Sequence, residues 1–212
     1  EAPKPDTGLL EKNTPDGETK YWVYVDADYD PNIAHAVLVW LHPPDKNDKE
    51  EIETFVDLWK EYCKTHHIIL VMPIEKKGGW LPSSADAVVL AVQDGIKPYT
   101  VDRQRIVAHG MSVGGQMALH LGFHHRDLFR GVSAVGALTL QLKDNVATQR
   151  LSFFLHAGDL DPIQKTVAES RTRLAERRFP AFYREMTERG REYLEAKHIP
   201  ELVRWIDSLD MQ

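Results

Sequence analysis

Residues 107–115, Val-Ala-His-Gly-Met-Ser-Val-Gly-Gly, decide the fold. They contain Gly110-Met111-Ser112-Val113-Gly114, which has the form Gly-x-Ser-x-Gly. An apolar strand is predicted just before this pattern, over residues 105–108, and an apolar helix just after it, over residues 114–121. A serine placed between a strand and a helix in this way is typical of a nucleophile elbow, a turn so tight that glycine stands two residues to either side of the serine. The pattern therefore predicts that Ser112 projects above a sheet as a nucleophile.

The residues beside the serine have predicted roles as well. The N–H of Val113 is expected to point at a negative charge that develops on a carbonyl oxygen. Met111 and Val113 are expected to shape the surface around the serine. Two other interpretations stay open, namely a chance glycine-rich turn and a turn that binds phosphate at a helix N-terminus.

Short apolar runs alternate with amphipathic stretches along the rest of the chain. This alternation predicts βαβ units, and hence an α/β fold with a mostly parallel central sheet and helices on both faces. In such sheets the functional residues lie in loops at the carboxyl ends of strands. Strands are predicted at residues 20–25, 35–41, 68–72, 105–108, 132–135, 151–155 and 181–186, and helices at residues 51–62, 85–96, 114–121, 163–177 and 199–209.

Length, composition and charge exclude several classes of protein. The chain has 212 residues, of which 42% are apolar and 27% charged, as is typical of one globular domain. No run approaches the ~18 consecutive apolar residues that a membrane span needs. The net charge of −6, with acidic and basic residues interspersed, argues against a nucleic-acid partner.

The first residues of the sequence indicate whether the domain is part of a longer protein, and the cysteine count limits its thiol chemistry. Residues 1–15 open with Glu-Ala-Pro-Lys-Pro-Asp, which is typical of a linker, and residues 16–212 are assigned to the folded domain. The start at Glu1 favours a segment of a longer, exported or processed protein, with other domains as possible partners, although the compartment stays unknown. Cys63 is the single cysteine and is expected to be a buried, inert thiol.

From about residue 20 onwards the chain resembles the α/β-hydrolase superfamily. It is most similar to the compact esterases without a lid, such as dienelactone hydrolases, phospholipase/carboxylesterases and feruloyl-esterase-like proteins. The resemblance rests on the elbow, on Val101-Asp102 with Arg105-Ile106 before it, and on a Gly-x-x-Asp turn after the strand at 151–155. It implies an α/β-hydrolase fold without a separate lid domain.

The resemblance also implies a catalytic acid and a base. Gly158 and Asp161 match the Gly-x-x-Asp turn that supplies the acid, so Asp161 is the predicted acid and Asp159 its competitor. Chain order in the superfamily is serine, acid, histidine, and of the ten histidines only His198 follows Asp161. His198 is therefore the predicted base. A rival alignment places Arg191 at the base position, where a guanidinium cannot act as a general base.

A second oxyanion donor is expected in the loop after the strand at 35–41. Relatives continue this strand with glycines, whereas this chain continues with Pro43-Pro44-Asp45. Because proline has no N–H, the donor is expected at Asp45, at Lys46 or on a side chain. The loop at residues 78–82 also follows a strand, so Trp80 is expected to line the pocket.

Taken together, these features predict a serine hydrolase that cleaves a small carboxylic ester. Ser112 would attack the carbonyl, His198 would accept its proton, and Asp161 would orient the histidine. This chemistry needs no cofactor. His120 and His124 lie four residues apart on a predicted helix, but no metal site is expected there because no Glu accompanies them as in zinc proteases. Two alternatives are a serine peptidase of the same fold, acting on a peptide, and a non-catalytic hydrolase-fold module of a longer protein.

Overall fold

A computed structural model describes residues 4–76, 79–139 and 141–212 and contains one eight-stranded sheet. The strands are β1 (Gly8–Asn13), β2 (Lys20–Val25), β3 (His35–Leu41), β4 (Ile68–Pro73), β5 (Val101–Met111), β6 (Gly131–Val135), β7 (Ser152–Gly158) and β8 (Ala181–Met186). Their order across the sheet is β1-β2-β4-β3-β5-β6-β7-β8. The β1–β2 and β2–β4 pairs are antiparallel, and all later pairs are parallel. The predicted α/β fold with a mostly parallel sheet is confirmed.

Five helices cover the two faces of the sheet. They are α1 (Lys49–Thr65), α2 (Ala85–Ile96), α3 (Val113–His124), α4 (Gln164–Glu176) and α5 (Ile199–Ser208). The buried side chains of α1 and α5 belong to one apolar cluster, and those of α2, α3 and α4 belong to the other. The two clusters lie on opposite faces of the sheet, because successive side chains of a strand point to opposite sides.

The central strands are apolar throughout because both of their faces are covered. Every residue of β3, β4, β6 and β7 is buried, which explains why their sequences show apolar runs instead of alternation. Since β3, β5, β6 and β7 run parallel, their carboxyl ends meet at one edge of the sheet. The loops after these strands therefore surround a common site.

The amino-terminal segment differs from its predicted role as a linker. Residues 8–13 form β1, which pairs with β2 from Gly8 opposite Val25 to Asn13 opposite Lys20. A tight turn joins the two strands, with the N–H of Gly17 donating to the carbonyl of Thr14 at 2.7 Å. The prolines that indicated a linker all precede residue 8, so they left the following residues free to join the sheet edge.

The part of the chain that the structure describes contains no separate lid domain, as predicted. Between β6 and β7 the described residues, 136–139 and 141–151, form no helix or strand. Among the described helices, none is long and apolar enough to cross a membrane. The edge of the sheet that carries the predicted functional residues is thus left without a covering domain.

Candidate active site

Ser112 lies on a sharp turn between the last residue of β5 and the first residue of α3. Its backbone has φ 55° and ψ −123°, a conformation that costs free energy for a residue with a side chain. A Cβ atom at Gly110 would lie 2.3 Å from the carbonyl oxygen of Gly114, and one at Gly114 would lie 2.0 Å from that of Leu41. Both glycines are therefore required by close backbone approach, as the elbow pattern demands.

Backbone hydrogen bonds fix the turn on both sides of the serine. The N–H of Ser112 donates to the carbonyl of Val135, at the end of β6, over 2.9 Å, and its carbonyl accepts from Gln116 over 3.0 Å. The hydroxyl of Ser112 does not cap the helix. Val113 is the first residue of α3, so its N–H has no acceptor within the helix and lies at the positive end of the helix dipole. The elbow thus presents a hydroxyl and one amide donor together.

Asp161 is buried in the turn after β7 and accepts three hydrogen bonds. Two come from Arg191, from Nε at 3.1 Å and from Nη2 at 2.9 Å, and the third comes from the N–H of Ile163 at 3.1 Å. Burial alone would raise the pKa of this carboxyl, but the bonds from Arg191 and Ile163 outweigh burial and hold the pKa below its usual range. Its competitor Asp159 is exposed and accepts from the N–H of Arg189.

Arg191 therefore lies beside Asp161, the predicted acid. A Cβ atom added to Gly136, directly after β6, would lie 3.1 Å from both Cγ of Arg191 and Oδ2 of Asp161. The aliphatic part of the Arg191 side chain thus passes the end of β6, the strand whose last carbonyl accepts from the N–H of Ser112. The structure brings Asp161 and Arg191 together next to the elbow.

His198 has other partners. It ends a short 3₁₀ turn before α5, and its Nδ1 accepts from the N–H of Glu195 at 3.0 Å. Its pKa is lowered by partial burial and by the nearby charge of Lys197. In the part of the chain that the structure describes, neither Ser112 nor Asp161 is a hydrogen-bond partner of His198. This arrangement differs from the predicted triad.

The loop after β8 explains the difference. The carbonyl of Arg189 accepts from the N–H of Leu160 at 2.9 Å, and Gly158 approaches the backbone of this loop so closely that a Cβ atom there would lie 2.1 Å from the same oxygen. This contact fixes which loop residue faces the acid. Arg191 follows Arg189 by two residues, and its side chain binds Asp161. His198 lies further along the chain, at the start of α5.

The loop after β3 limits the choice of a second oxyanion donor. His42 is buried, donates from Nδ1 to the carbonyl of Pro43, and accepts on Nε2 from the N–H of Glu75. The N–H of Lys46 donates to the carbonyl of Pro43 at 3.3 Å. Since neither proline carries an N–H, Asp45, with φ 61°, provides the remaining backbone candidate in residues 43–46.

Comparisons with known proteins agree with this architecture. Residues 79–162, which include Ser112 and Asp161, match the prolyl oligopeptidase family. A thermostable esterase superposes with a TM-score of 0.72 at 16% identity, over 94% of this chain and 62% of that protein. The chain has the α/β-hydrolase fold. The matched segment covers less than half of the chain and shows a resemblance to this family of serine hydrolases.

Two further structures support the assignment of this α/β-hydrolase fold. An esterase from Rhizomucor miehei superposes with a TM-score of 0.74 at 12% identity, over 98% of this chain and 85% of the esterase. The S-formylglutathione hydrolase FrmB from Staphylococcus aureus gives 0.69 at 15% identity, over 97% and 99% of the two chains. The comparison with curated protein sequences gives no significant match.

A cavity of about 330 Å³ opens beside the elbow of this α/β-hydrolase fold. Val113 lines it, and so does Trp80, which is buried and donates from its indole N–H to the carbonyl of His42 at 2.8 Å. The predicted pocket loop at residues 78–82 is described from Gly79 onward, and Gly78 lies outside the described residues. Trp80 is thus a fixed part of the cavity wall.

Sequence reasoning missed several residues of this cavity, among them Gln116 and Met117 of α3 and Leu138 of the loop after β6. Thr139, on the loop after β6, also lines the wall, and it follows the apolar strand without any motif that marks it. The other side chains singled out earlier lie elsewhere or at the far end of the cavity. His120 and His124 stack there, with ring centroids 4.0 Å apart. Cys63 is buried, and burial raises the pKa of its thiol.

Proposed function

We propose that this chain binds small carboxylic esters at the elbow and is acylated on Ser112 without the help of a histidine base. The observation that carries the proposal is the pairing of Asp161 with Arg191 next to an otherwise complete elbow. A guanidinium keeps its proton near neutral pH and cannot accept one from a serine hydroxyl. The expected reaction is therefore slow acyl transfer, not the rapid turnover of an assembled triad.

The acylation step can be written with water in place of the missing base. Ser112 Oγ forms a bond to the carbonyl carbon, and its proton passes to solvent. The bond to the leaving oxygen then breaks, and that oxygen takes a proton from water. The N–H of Val113, with that of Asp45 as the second donor, would stabilise the oxyanion. Enzymes that lose one triad residue keep roughly 10³–10⁴-fold acceleration over water, which sets the scale of the expected activity.

An ester is favoured over a peptide by the same geometry. A peptide nitrogen must be protonated as it leaves, and in serine hydrolases the imidazolium supplies that proton. An ester oxygen leaves more readily, so it depends less on such an acid. The peptidase alternative would need His198 to leave the N–H of Glu195 and reach Asp161.

The non-catalytic module is a second candidate, and the bidentate pairing of Arg191 with Asp161 favours it as well. In that case the elbow and its cavity would bind a ligand, and Ser112 would have no chemical role. The two candidates differ in whether the hydroxyl of Ser112 reacts with an electrophile.

Labelling with a fluorophosphonate probe separates the candidates. The probe adds to a nucleophilic serine, and intact mass and peptide mapping locate the adduct. We expect slow labelling of wild-type protein at Ser112, none in Ser112→Ala, and an unchanged rate in His198→Ala. A rate that collapses in His198→Ala would restore the predicted triad with His198 as base. No labelling of wild-type protein at neutral or alkaline pH would favour the non-catalytic module.

A further inference from the structure

Strand β8 lies at one edge of the sheet, and within the described residues no strand pairs with its outer side. The carbonyls of Pro180 and Met186 accept hydrogen bonds from the β7 side of this strand. Because the backbone groups of a paired strand alternate in direction, the even-numbered residues of β8 face β7. The odd-numbered residues, Ala181, Tyr183 and Glu185, therefore direct their N–H and C=O groups outward, as a template for another strand.

The outer side of β8 is open. The carbonyl of Ala181 accepts from Nε of Arg171, on α4, at 3.2 Å, and it keeps a second lone pair. Within the described residues no hydrogen bond reaches the outward backbone groups of Tyr183 or Glu185. A cavity of about 350 Å³ lies at this edge and is lined by residues 181–184 together with side chains from α4 and α5. The edge is thus accessible to a second chain.

The exposed side chains of β8 are aromatic or charged. Phe182 has 48% of its surface exposed, and Arg184 pairs with Glu201 on the same face of the sheet. Glu185 lies on the opposite face, where its carboxylate accepts from Nε2 of Gln164 at 2.6 Å. No ion pair among the described residues involves Glu185. The edge therefore carries a negative charge that has no opposite charge beside it in this part of the fold.

We propose that two copies of this chain pair antiparallel along β8, about a two-fold axis at Tyr183, so that the sheet continues from one copy into the other. In this register Tyr183 faces its own counterpart. Phe182 faces Arg184 of the second copy. On the other face of the sheet, Ala181 faces Glu185 of the second copy. The outward groups of each odd-numbered residue then meet those of another odd-numbered residue, as an antiparallel ladder requires.

The charges of β8 select this register. An axis at Arg184 would place two like charges directly opposite each other, which destabilises a sheet. The axis at Tyr183 avoids that contact and sets the guanidinium of Arg184 against the ring of Phe182, as a cation–π contact. The two-fold symmetry repeats every contact, so each favourable pair forms twice.

Charge complementarity also selects a second copy as the occupant of the edge. Arg171 donates to the carbonyl of Ala181 and has no carboxylate partner among the described residues. Because Ala181 faces Glu185 of the second copy, that carboxylate lies beside the guanidinium of Arg171. Two side chains that are unpaired within one copy are thus paired between two copies. An unrelated extended peptide would need a carboxylate at the same position to match Arg171.

Sedimentation velocity across a dilution series of the purified chain tests the pairing. We expect a dimer that dissociates on dilution for the wild-type protein and a monomer for Tyr183→Pro. Proline removes an N–H that points outward, so the ladder with β7 is kept while the pairing with a second copy is lost. Tyr183→Ala keeps the N–H and is the matched control, which should still dimerise. Circular dichroism and melting temperatures check that both variants are folded.

Two results of this experiment would overturn the proposal. One is a wild-type protein that is monomeric at every concentration, which would leave the edge to another extended chain. The other is a folded Tyr183→Pro protein that dimerises as the wild-type protein does, which would place the dimer interface elsewhere.

Reversal of charge tests the register. Arg171→Glu and Glu185→Arg should each weaken dimerisation at least about tenfold, because each places like charges across the axis in both halves of the interface. The double variant should restore dimerisation to near the wild-type level. Arg173→Glu makes the same change of charge at an exposed position of α4 and should leave dimerisation unchanged. A double variant as weak as the single variants would overturn the contact between Arg171 and Glu185.

Discussion

Asp161 and Arg191 form a bidentate ion pair at the end of β7, with hydrogen bonds of 2.9 and 3.1 Å. The carboxylate is fully buried within the pair, whereas the arginine side chain keeps 40% of its surface exposed. In a working triad this carboxylate would orient an imidazole. In this structure the carboxylate of Asp161 is instead hydrogen-bonded by the guanidinium of Arg191. A guanidinium cannot accept the proton of Ser112.

Replacing this arginine by histidine should create the missing base. We expect Arg191→His to raise the rate of p-nitrophenyl ester hydrolysis by at least about 10²-fold, because a general base typically contributes ~10²–10⁴-fold. The rate should also rise with pH through the pKa of the new imidazole. Arg191→Gln, which removes the guanidinium without adding a base, should show no such gain. A folded Arg191→His protein with the wild-type rate would contradict the assignment of this position.

The ion pair should also contribute to stability. Asp161→Asn leaves the guanidinium without its charged partner, and we expect a loss of about 1–3 kcal/mol in the free energy of unfolding, since the arginine is partly exposed and can be hydrated. Chemical denaturation of the wild-type protein and of Asp161→Asn at neutral pH measures this loss in the free energy of unfolding. The control is Asp159→Asn, an exposed carboxylate in the same turn, for which a change below ~0.5 kcal/mol is expected.

The pH dependence of the Asp161 contribution follows from its lowered pKa. The unfolded chain binds a proton at this carboxyl at a higher pH than the folded chain does, so the contribution is complete above the unfolded pKa of about 3.9 and is lost as the pH falls through the folded value. The difference in the free energy of unfolding between the wild-type protein and Asp161→Asn should therefore become smaller as the pH is lowered into the acid range. An unchanged difference down to acid pH would argue that the pair is not formed.

Two buried histidines should make the fold sensitive to mild acid. Burial lowers the pKa of His109 and of His156 to about 3. The unfolded chain protonates them near pH 6.5, so it binds more protons between these values, and the free energy of unfolding should fall as the pH is lowered, by up to about 1.4 kcal/mol per pH unit for each histidine. Denaturant midpoints between pH 7 and pH 5 would measure the slope.

Variants of these two histidines should behave differently. Neither ring nitrogen of His156 has a hydrogen-bond partner among the described residues, so His156→Leu should reduce the pH slope with little loss of stability at pH 7. His109 bonds to Ser133 through Nδ1 and to Tyr193 through Nε2. His109→Leu should therefore reduce the slope but cost about 1–3 kcal/mol at pH 7. Equal losses at pH 7 would show that His156 has a partner.

The fold could be predicted from local patterns because those patterns are strong. Apolar runs covered on both faces, such as β3, stand out from their surroundings, and the spacing of glycines around Ser112 reflects backbone contacts that admit no Cβ atom. Strand β1 was missed because an edge strand is short and half exposed, so its sequence resembles a loop. The prolines before it also indicated a linker.

The pairing of Asp161 with Arg191 could not be settled from sequence, because it depends on tertiary contacts that no local pattern shows. Chain order selected His198 as the base, but the register of the loop after β8 decides which side chain reaches Asp161. That register is set by the approach of Arg189 to Gly158, two residues far apart in sequence. The alignment that placed Arg191 at this position agrees with the observed pairing. Thr139 could not be found from sequence, because it follows an apolar strand without any motif that marks it as a residue of the cavity.

The strained backbone at Ser112 should lower the free energy of unfolding of the protein, and this loss should be measurable. Its φ of 55° is easily adopted by glycine but costs ~1–3 kcal/mol for other residues. We expect Ser112→Gly to unfold at higher denaturant concentration than Ser112→Ala, with a difference of about 1 kcal/mol after allowance for the greater entropy of glycine in the unfolded chain. Both variants lack the hydroxyl, so the comparison isolates the backbone. Equal stability of the two variants, or a less stable glycine variant, would mean that the turn is not strained in solution.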